Sequence, residues 1–248
     1  MVTSSTPPDS AKAGSTTPMQ QLQEKQEPRA LYDEKEASRL CNKWVENGLT
    51  QNKAIQFLVQ HLVDLGCTPP DSFIQCSQCD RPGAGFFGMV KEETVGQQPK
   101  QDCNSLQNML QRERTGISKL TIQPEITICQ QYMENELHTH KTMVHELIHA
   151  IDQCRTNMDP LRNCIHIACT EIRAENLSGE CSFWKELPRM IAETGKFAGH
   201  GQACVRRRAI LSVRGNPKCA PRAEDYVDAA MQRCFADIYP FERHPNQQ

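Results

Sequence analysis

The chain has 248 residues, 38% of them hydrophobic and 23% charged, with a formal net charge of −2. That length favours one domain with a sizeable core over two large ones. The near-neutral charge gives no electrostatic case for a nucleic-acid partner. The most apolar run, Ala54 to Leu65, is broken by Gln56, Gln60, His61 and Asp64 and falls short of the about 18 apolar residues of a spanning helix.

Residues 1–30 are rich in Ser, Thr, Pro and Gln and carry no arginine before Arg29. They read as a disordered polar tail, unlike a secretory signal or a mitochondrial presequence. Residues 31–241 are expected to form the single domain, with 242–248 as a second tail. Tyr32 to Gly66 reads as one or two helices, with Asn47-Gly48 as the break and Gly66 as the stop. Phe73-Ile74 and Phe86 to Val90 suit short strands, and Asn104 to Arg112 suits a helix. Ile117 to Cys129 alternates as two strands or as one strand bent at Pro124. Its last part, Glu125 to Cys129, is a candidate substrate-binding edge strand, because free edge groups can pair with an extended peptide; the alternative is an ordinary sheet strand.

His138 to Arg155 follows as a helix and carries His145-Glu-Leu-Ile-His149. Helix positions i and i+4 share a face, so both imidazoles can reach one tetrahedral zinc ion. Glu146 then stands beside the metal as the general base of a zinc hydrolase. Val144, Leu147, Ile148 and Ile151 form an apolar stripe that buries the neighbouring face. A catalytic zinc needs a third protein ligand, and Glu171, 22 residues beyond His149, is the candidate. It lies on a helix from Cys164 to Ser178 that Gly179 stops, with Glu175 one turn on as an outer acceptor for a ligand histidine. His166 is the alternative third ligand, although Arg155 stands where the third-histidine signature requires His.

Other polar residues take secondary roles. His138 and His140 are two apart and point to different sides of the helix, which suits a loop at the cleft or the surface. Asp152 shares the ligand face, where it either hydrogen bonds near the metal or caps the surface. His200 is a candidate oxyanion stabiliser, with a structural role as the alternative. Two later helices are expected from His200 to Val213 and from Ala223 to Phe235, and Arg206-Arg207-Arg208 reads as a solvated helix face. The implied fold is α+β and gluzincin-like, mostly helical with a small sheet packed on the H-E-x-x-H helix.

The thirteen cysteines are spread along the chain, which argues for a disulfide framework in an oxidising compartment. An oxidising space without a secretory signal points to the mitochondrial intermembrane space. Cys76-Ser-Gln-Cys79 could be half of a zinc ribbon, but the chain has no second C-x-x-C. Cys154 and Cys164 are expected to pair, tying the end of the metal helix to the start of the helix carrying Glu171.

Taken together, His145 to Asp152, Glu171-Ile-Arg-Ala-Glu-Asn-Leu-Ser-Gly-Glu-Cys181, His200 to Ala209, Pro240-Phe241 and the Cys76–Cys79 segment carry a resemblance. The chain is similar to the mitochondrial inner-membrane metalloproteases of ATP synthase assembly from roughly Tyr32 to Phe241. That resemblance implies an intermembrane-space protease attached peripherally to the inner membrane and imported through the disulfide relay. It implies removal of the N-terminal propeptide of ATP synthase subunit 6, assistance in assembling the membrane sector, one zinc ion held by His145 and His149, and catalysis by Glu146. An assembly chaperone with secondary proteolysis is the alternative. The chain departs from the family at Ile151, where many members carry an aromatic residue, and thirteen cysteines do not make a fully paired set.

Overall fold

The computed structural model describes residues 31–80, 83–94, 118–159, 162–194 and 199–246. The expectations for residues 1–30 and for a helix at Asn104 to Arg112 lie outside them. Helix α1 (Glu34–Gln51) starts at Asp33, whose side chain accepts from the Glu36 amide, and runs straight through Asn47-Gly48. Gly48 is there for contact and not for a break: a Cβ on it would come within 2.9 Å of the Met143 sulfur. The break falls at Asn52, whose Oδ1 accepts from the Ala54 and Ile55 amides and opens α2 (Lys53–Asp64). The chain then turns at Gly66, with φ at 83°.

Strands β1 (Ile74–Ser77), β2 (Gly85–Thr94) and β3 (Ser118–Cys129) form one mixed sheet in the order β1-β3-β2. Ser118 to Cys129 therefore form a single strand. Its pairing with β2 is irregular between Gly88 and Val90, opposite Pro124, which has no N–H to offer a ladder. The expected edge strand, Glu125 to Cys129, is the central one. Ile74 to Ser77 pair with Ile126 to Cys129 on one side and Gly85 to Gly88 pair with Glu125 to Ile128 on the other, so no free edge remains there.

Helix α3 (Glu136–Arg155) is capped by the Asn135 side chain, which accepts from the His138 amide, and packs on β2 and β3. Its stripe of Val144, Leu147, Ile148 and Ile151 is buried among residues of α1, α2 and the sheet. Helix α4 (Cys164–Leu177), stopped at Gly179 with φ at 82°, lies between two apolar clusters. Ala174 and Leu177 join the first, while Cys164, Ala168 and Ile172 join a second made with α6 (His200–Arg214) and α7 (Ala223–Ala236). A short helix α5 (Phe183–Arg189) runs into a π turn, Met190–Thr194. The result is mostly helical with a small sheet against α3, as the sequence leads one to expect.

Six disulfides staple this arrangement: Cys41–Cys76, Cys67–Cys154, Cys79–Cys129, Cys164–Cys219, Cys169–Cys234 and Cys181–Cys204. The expected Cys154–Cys164 bridge is absent. Cys154 faces the end of α2, near the Leu65 carbonyl, whereas Cys164 belongs to the second cluster, so the two point to different halves. Both cysteines of the C-x-x-C pair are consumed in separate bridges, which removes the zinc-ribbon reading. The thirteenth cysteine, Cys103, lies outside the described residues.

The Cys67–Cys154 bridge spans 87 residues of sequence, and constraining the unfolded chain over such a loop is worth about 4 kcal/mol. Replacing both cysteines by serine should lower the thermal midpoint accordingly, and an unchanged midpoint would argue against the bridge. Alkylation of unreduced protein should label Cys103 alone.

Candidate metal centre

Successive turns of α3 present His145 and His149, and α4 brings Glu171 up to them. Ligand atoms of the three all lie within 4.8 Å of one another. Glu171 Oε2 is 3.6 Å from His145 Nε2, and Oε1 is 3.8 Å from His149 Nε2. Donors around a tetrahedral zinc stand ~3.4 Å apart, so a slight contraction would close the set on an ion. Glu171 Oε2 is buried without a hydrogen-bond partner. A buried carboxylate oxygen left open in this way fits a metal ligand, because otherwise it loses its hydration for nothing.

The alternative ligand is committed elsewhere. His166 Nδ1 accepts from the Asp159 amide at 2.9 Å and so belongs to the turn before α4. His140 ties α3 to the N-terminal helices, with Nε2 3.0 Å from the Trp44 carbonyl oxygen and Nδ1 3.3 Å from Asn52 Nδ2. His138 lies 4.0 Å from the Glu134 carboxylate and beside Glu180. His200 meets Phe183 edge to face, with ring centroids 5.2 Å apart.

Orientation of His149 comes from a chain of donors that the sequence does not advertise. Thr170 Oγ1 donates to Asp152 Oδ2 at 3.0 Å, so its lone pair is left to accept from His149 Nδ1 at 2.8 Å. That fixes the proton on Nδ1 and turns the Nε2 lone pair toward Glu171, as a metal ligand requires. Asp152 is only 1% exposed and also accepts from Arg173 Nε at 2.9 Å and from Arg155 Nε at 3.1 Å. At His149 that role falls to Thr170 and Asp152, while the Glu175 charge acts on His145. Glu175 instead pairs with Arg208 Nε, and Arg208 reaches Glu180 at 3.3 Å with its other arm. Of the three consecutive arginines, Arg206 is the solvated one, paired with Asp228, whereas Arg207 holds Glu186 and Arg208 turns inward.

The pocket is electrostatically uneven. Burial holds His149 neutral and lowers its pKa to about 4, with His145 and Arg173 adding to the effect against Glu171. Burial also opposes a charge on His145, but the Glu171, Glu175 and Glu146 carboxylates outweigh it and raise the pKa to about 9. Glu171 drops to about 2 because His149, His145 and the Ser212 hydroxyl together overcome its burial. Glu146, 4% exposed, rises to about 7, chiefly through burial and with Glu171 and Glu175 adding, while His145 and the Phe87 amide pull it back. Three carboxylates around two rings make this a place that attracts a cation.

β2 covers the site. The Phe87 amide lies close enough to Glu146 to favour its carboxylate, and a Cβ at Gly85 would lie 2.7 Å from Thr142 Cγ2 and 3.0 Å from Glu146 Oε1. β2 pairs only with β3 among the described residues, so its outer side is the open edge beside the metal helix.

Comparison with known proteins follows the same residues. The sequence model of the peptidase M76 family matches residues 39–242. Mitochondrial inner membrane protease ATP23 of Saccharomyces cerevisiae is 47% identical over 120 residues, 47% of this chain and 52% of that protein. The protease of the same name in Mycosarcoma maydis is 32% identical over 205 residues, covering 82% of this chain and 89% of its own. The homologue in Xenopus laevis is 43% identical over 212 residues, covering 83% and 74%. The chain thus spans about half the length of the yeast relatives it matches. No solved structure matches it.

Glu171→Ala should strip zinc from the purified protein while His166→Ala leaves the zinc content near that of the unaltered chain. Thr170→Val should weaken zinc binding by about 10- to 100-fold, as loss of an outer partner of a ligand histidine does elsewhere, and Thr170→Ser should restore it. Chelator competition reads both, and equal zinc retention by Thr170→Val would show that His149 needs no such acceptor.

Proposed function

The chain belongs to the peptidase M76 family, and from that premise we propose that it is a gluzincin-like zinc endopeptidase of the mitochondrial intermembrane space. The observation that carries this reading is the convergence of His145, His149 and Glu171 beside Glu146, under the open edge of β2. Two imidazoles and one carboxylate whose donor atoms lie within 4.8 Å of one another suit zinc with a position left for water. Zinc held there would polarise the scissile carbonyl and acidify the attacking water.

The chain's own groups supply the rest. Glu146 takes the proton of the attacking water and returns it to the leaving amine. Burial raises this carboxyl above the usual range, which favours its holding the proton between the two transfers. The outer edge of β2 around Gly85–Phe87 replaces Glu125 to Cys129 as the strand that aligns an extended substrate. Thr170 and Asp152 keep the His149 ring in register with Glu171.

Six disulfides suit an oxidising space, and no described helix is long and apolar enough to cross a membrane. With relatives named inner membrane proteases, these features support peripheral attachment to the inner membrane after import through the disulfide relay. The substrate in this reading is the precursor of ATP synthase subunit 6, whose N-terminal propeptide is removed. Help in assembling the membrane sector is a second activity of the same protein.

Glu146→Gln should keep its zinc and lose about 100- to 10,000-fold in precursor cleavage, the range of a general base. Retained assembly of the membrane sector in that variant would separate the two activities, and undiminished cleavage would sink the mechanism. Gly85→Ala should cut cleavage about tenfold or more at full zinc content, because its methyl group displaces Glu146. Cleavage assays on the two zinc-loaded proteins check this.

A further inference from the structure

The segment after α4 is held rigidly yet leaves its apolar side uncovered. Cys181–Cys204 anchors it to α6, Glu186 is turned inward onto Arg207 at 2.8 Å, and Met190 is buried. Helix α5 itself buries none of its residues. Trp184, Pro188 and Ile191 follow one another at i, i+4 and i+7, which places them on one face of α5 and the turn that continues it. Trp184 is 78% exposed and Ile191 65%, and Phe183 packs its ring edge-on against Trp184, 5.4 Å between centroids. The exposed charged side chains of α5 are the cations Lys185 and Arg189.

We propose that this face, Phe183, Trp184, Pro188 and Ile191 flanked by Lys185 and Arg189, docks the protein on the surface of an anionic phospholipid bilayer. The inference rests on the peripheral attachment proposed above and says which surface makes it. Trp carries a large apolar ring with a polar N–H, the combination that settles at the headgroup level. Aliphatic neighbours enter the acyl boundary, and Lys185, which stays 43% exposed beside its partner Glu180, and the exposed Arg189 lie where anionic headgroups would meet them. A short amphipathic element of this kind lies on a membrane without spanning it.

The placement has a bearing on catalysis. Lys185 contacts Glu180, Glu180 meets Arg208, and Arg208 holds Glu175, one turn beyond Glu171. The docking face is therefore joined to the metal centre through a short ion-pair network. A bilayer bound there would bring the cleft to peptide segments emerging at the lipid surface.

The full-length, zinc-loaded protein should float with phosphatidylcholine vesicles containing about 30% anionic phospholipid and lose that binding as salt rises. Trp184→Ala/Ile191→Ala should reduce the floated fraction at least about fivefold, with zinc content and cleavage of a soluble propeptide peptide unchanged. The chain has two tryptophans, and the other, Trp44, is buried in the first core. Brominated lipids should thus quench the unaltered protein and leave Trp184→Phe unquenched. If the unaltered protein floats and the double variant floats equally, the assignment of this face is overturned while membrane attachment stands. Failure of the unaltered protein to float overturns both. Conversion of a dimer to a monomer by the double variant, with flotation unchanged, would make the face a contact between copies and equally overturn the proposal.

Discussion

The ion pair between Asp152 and Arg173 is the constraint on which the metal centre depends. Each side chain is 1% exposed, and each sits on a helix that also carries candidate ligands: Asp152 on α3 with His145 and His149, Arg173 on α4 with Glu171. Fixing the pair fixes how the two helices meet. Removing one partner of such a buried pair costs about 3–5 kcal/mol, because the other charge is stranded in a low-dielectric interior. Arg173 uses its whole fork, with Nε on Asp152, Nη1 on Asp237 and Nη2 on the Tyr239 carbonyl. Lysine, a single point charge, could not hold three directions at once.

The disulfides divide the same structure differently. Cys41–Cys76, Cys67–Cys154 and Cys79–Cys129 staple α1, α2, α3 and the sheet, whereas Cys164–Cys219, Cys169–Cys234 and Cys181–Cys204 staple α4, α6 and α7 and the turns between them. None of the six joins one set to the other. The join is made by non-covalent means: Ala174 and Leu177 packed into the first core, the buried ion pair, and the convergence of ligands from both sides. Covalent rigidity is thus placed on either side of the metal centre, and adjustability at it.

How much of this was legible in the sequence follows from the range of each interaction. Local signals worked: the H-E-x-x-H helix with its apolar stripe, the Gly66 and Gly179 stops, and the later helices all follow from neighbours within a few turns. Glu171 as the carboxylate beside the histidines followed from helical spacing plus the chemistry of ligand sets. What depended on the third dimension did not. Thr170 has nothing in its surroundings to mark it as an acceptor for a ring 21 residues away. Of the two readings open for Glu125 to Cys129, the ordinary sheet strand is the one found, because a strand's neighbours are set by the topology of the sheet and not by its own alternation. The Cys154–Cys164 expectation failed for a similar reason, since proximity in sequence says little about which way two helices turn their sulfurs.

The segment after α7 closes over this centre. Arg173 holds the Asp237 and Tyr239 carbonyls, and Asn246 Nδ2 donates to the Leu177 carbonyl at 2.9 Å, over the end of α4. Arg173 and Asp237 are 64 residues apart in sequence, so the arginine that steadies the pocket acquires its full set of acceptors only after the chain beyond α7 has arrived. As the chain is made from its N-terminus, His145, Glu146, His149 and Glu171 all precede that segment. A chain that stops short of Asp237 would hold all four candidate groups without the clasp that steadies Arg173, so the candidate pocket is completed last.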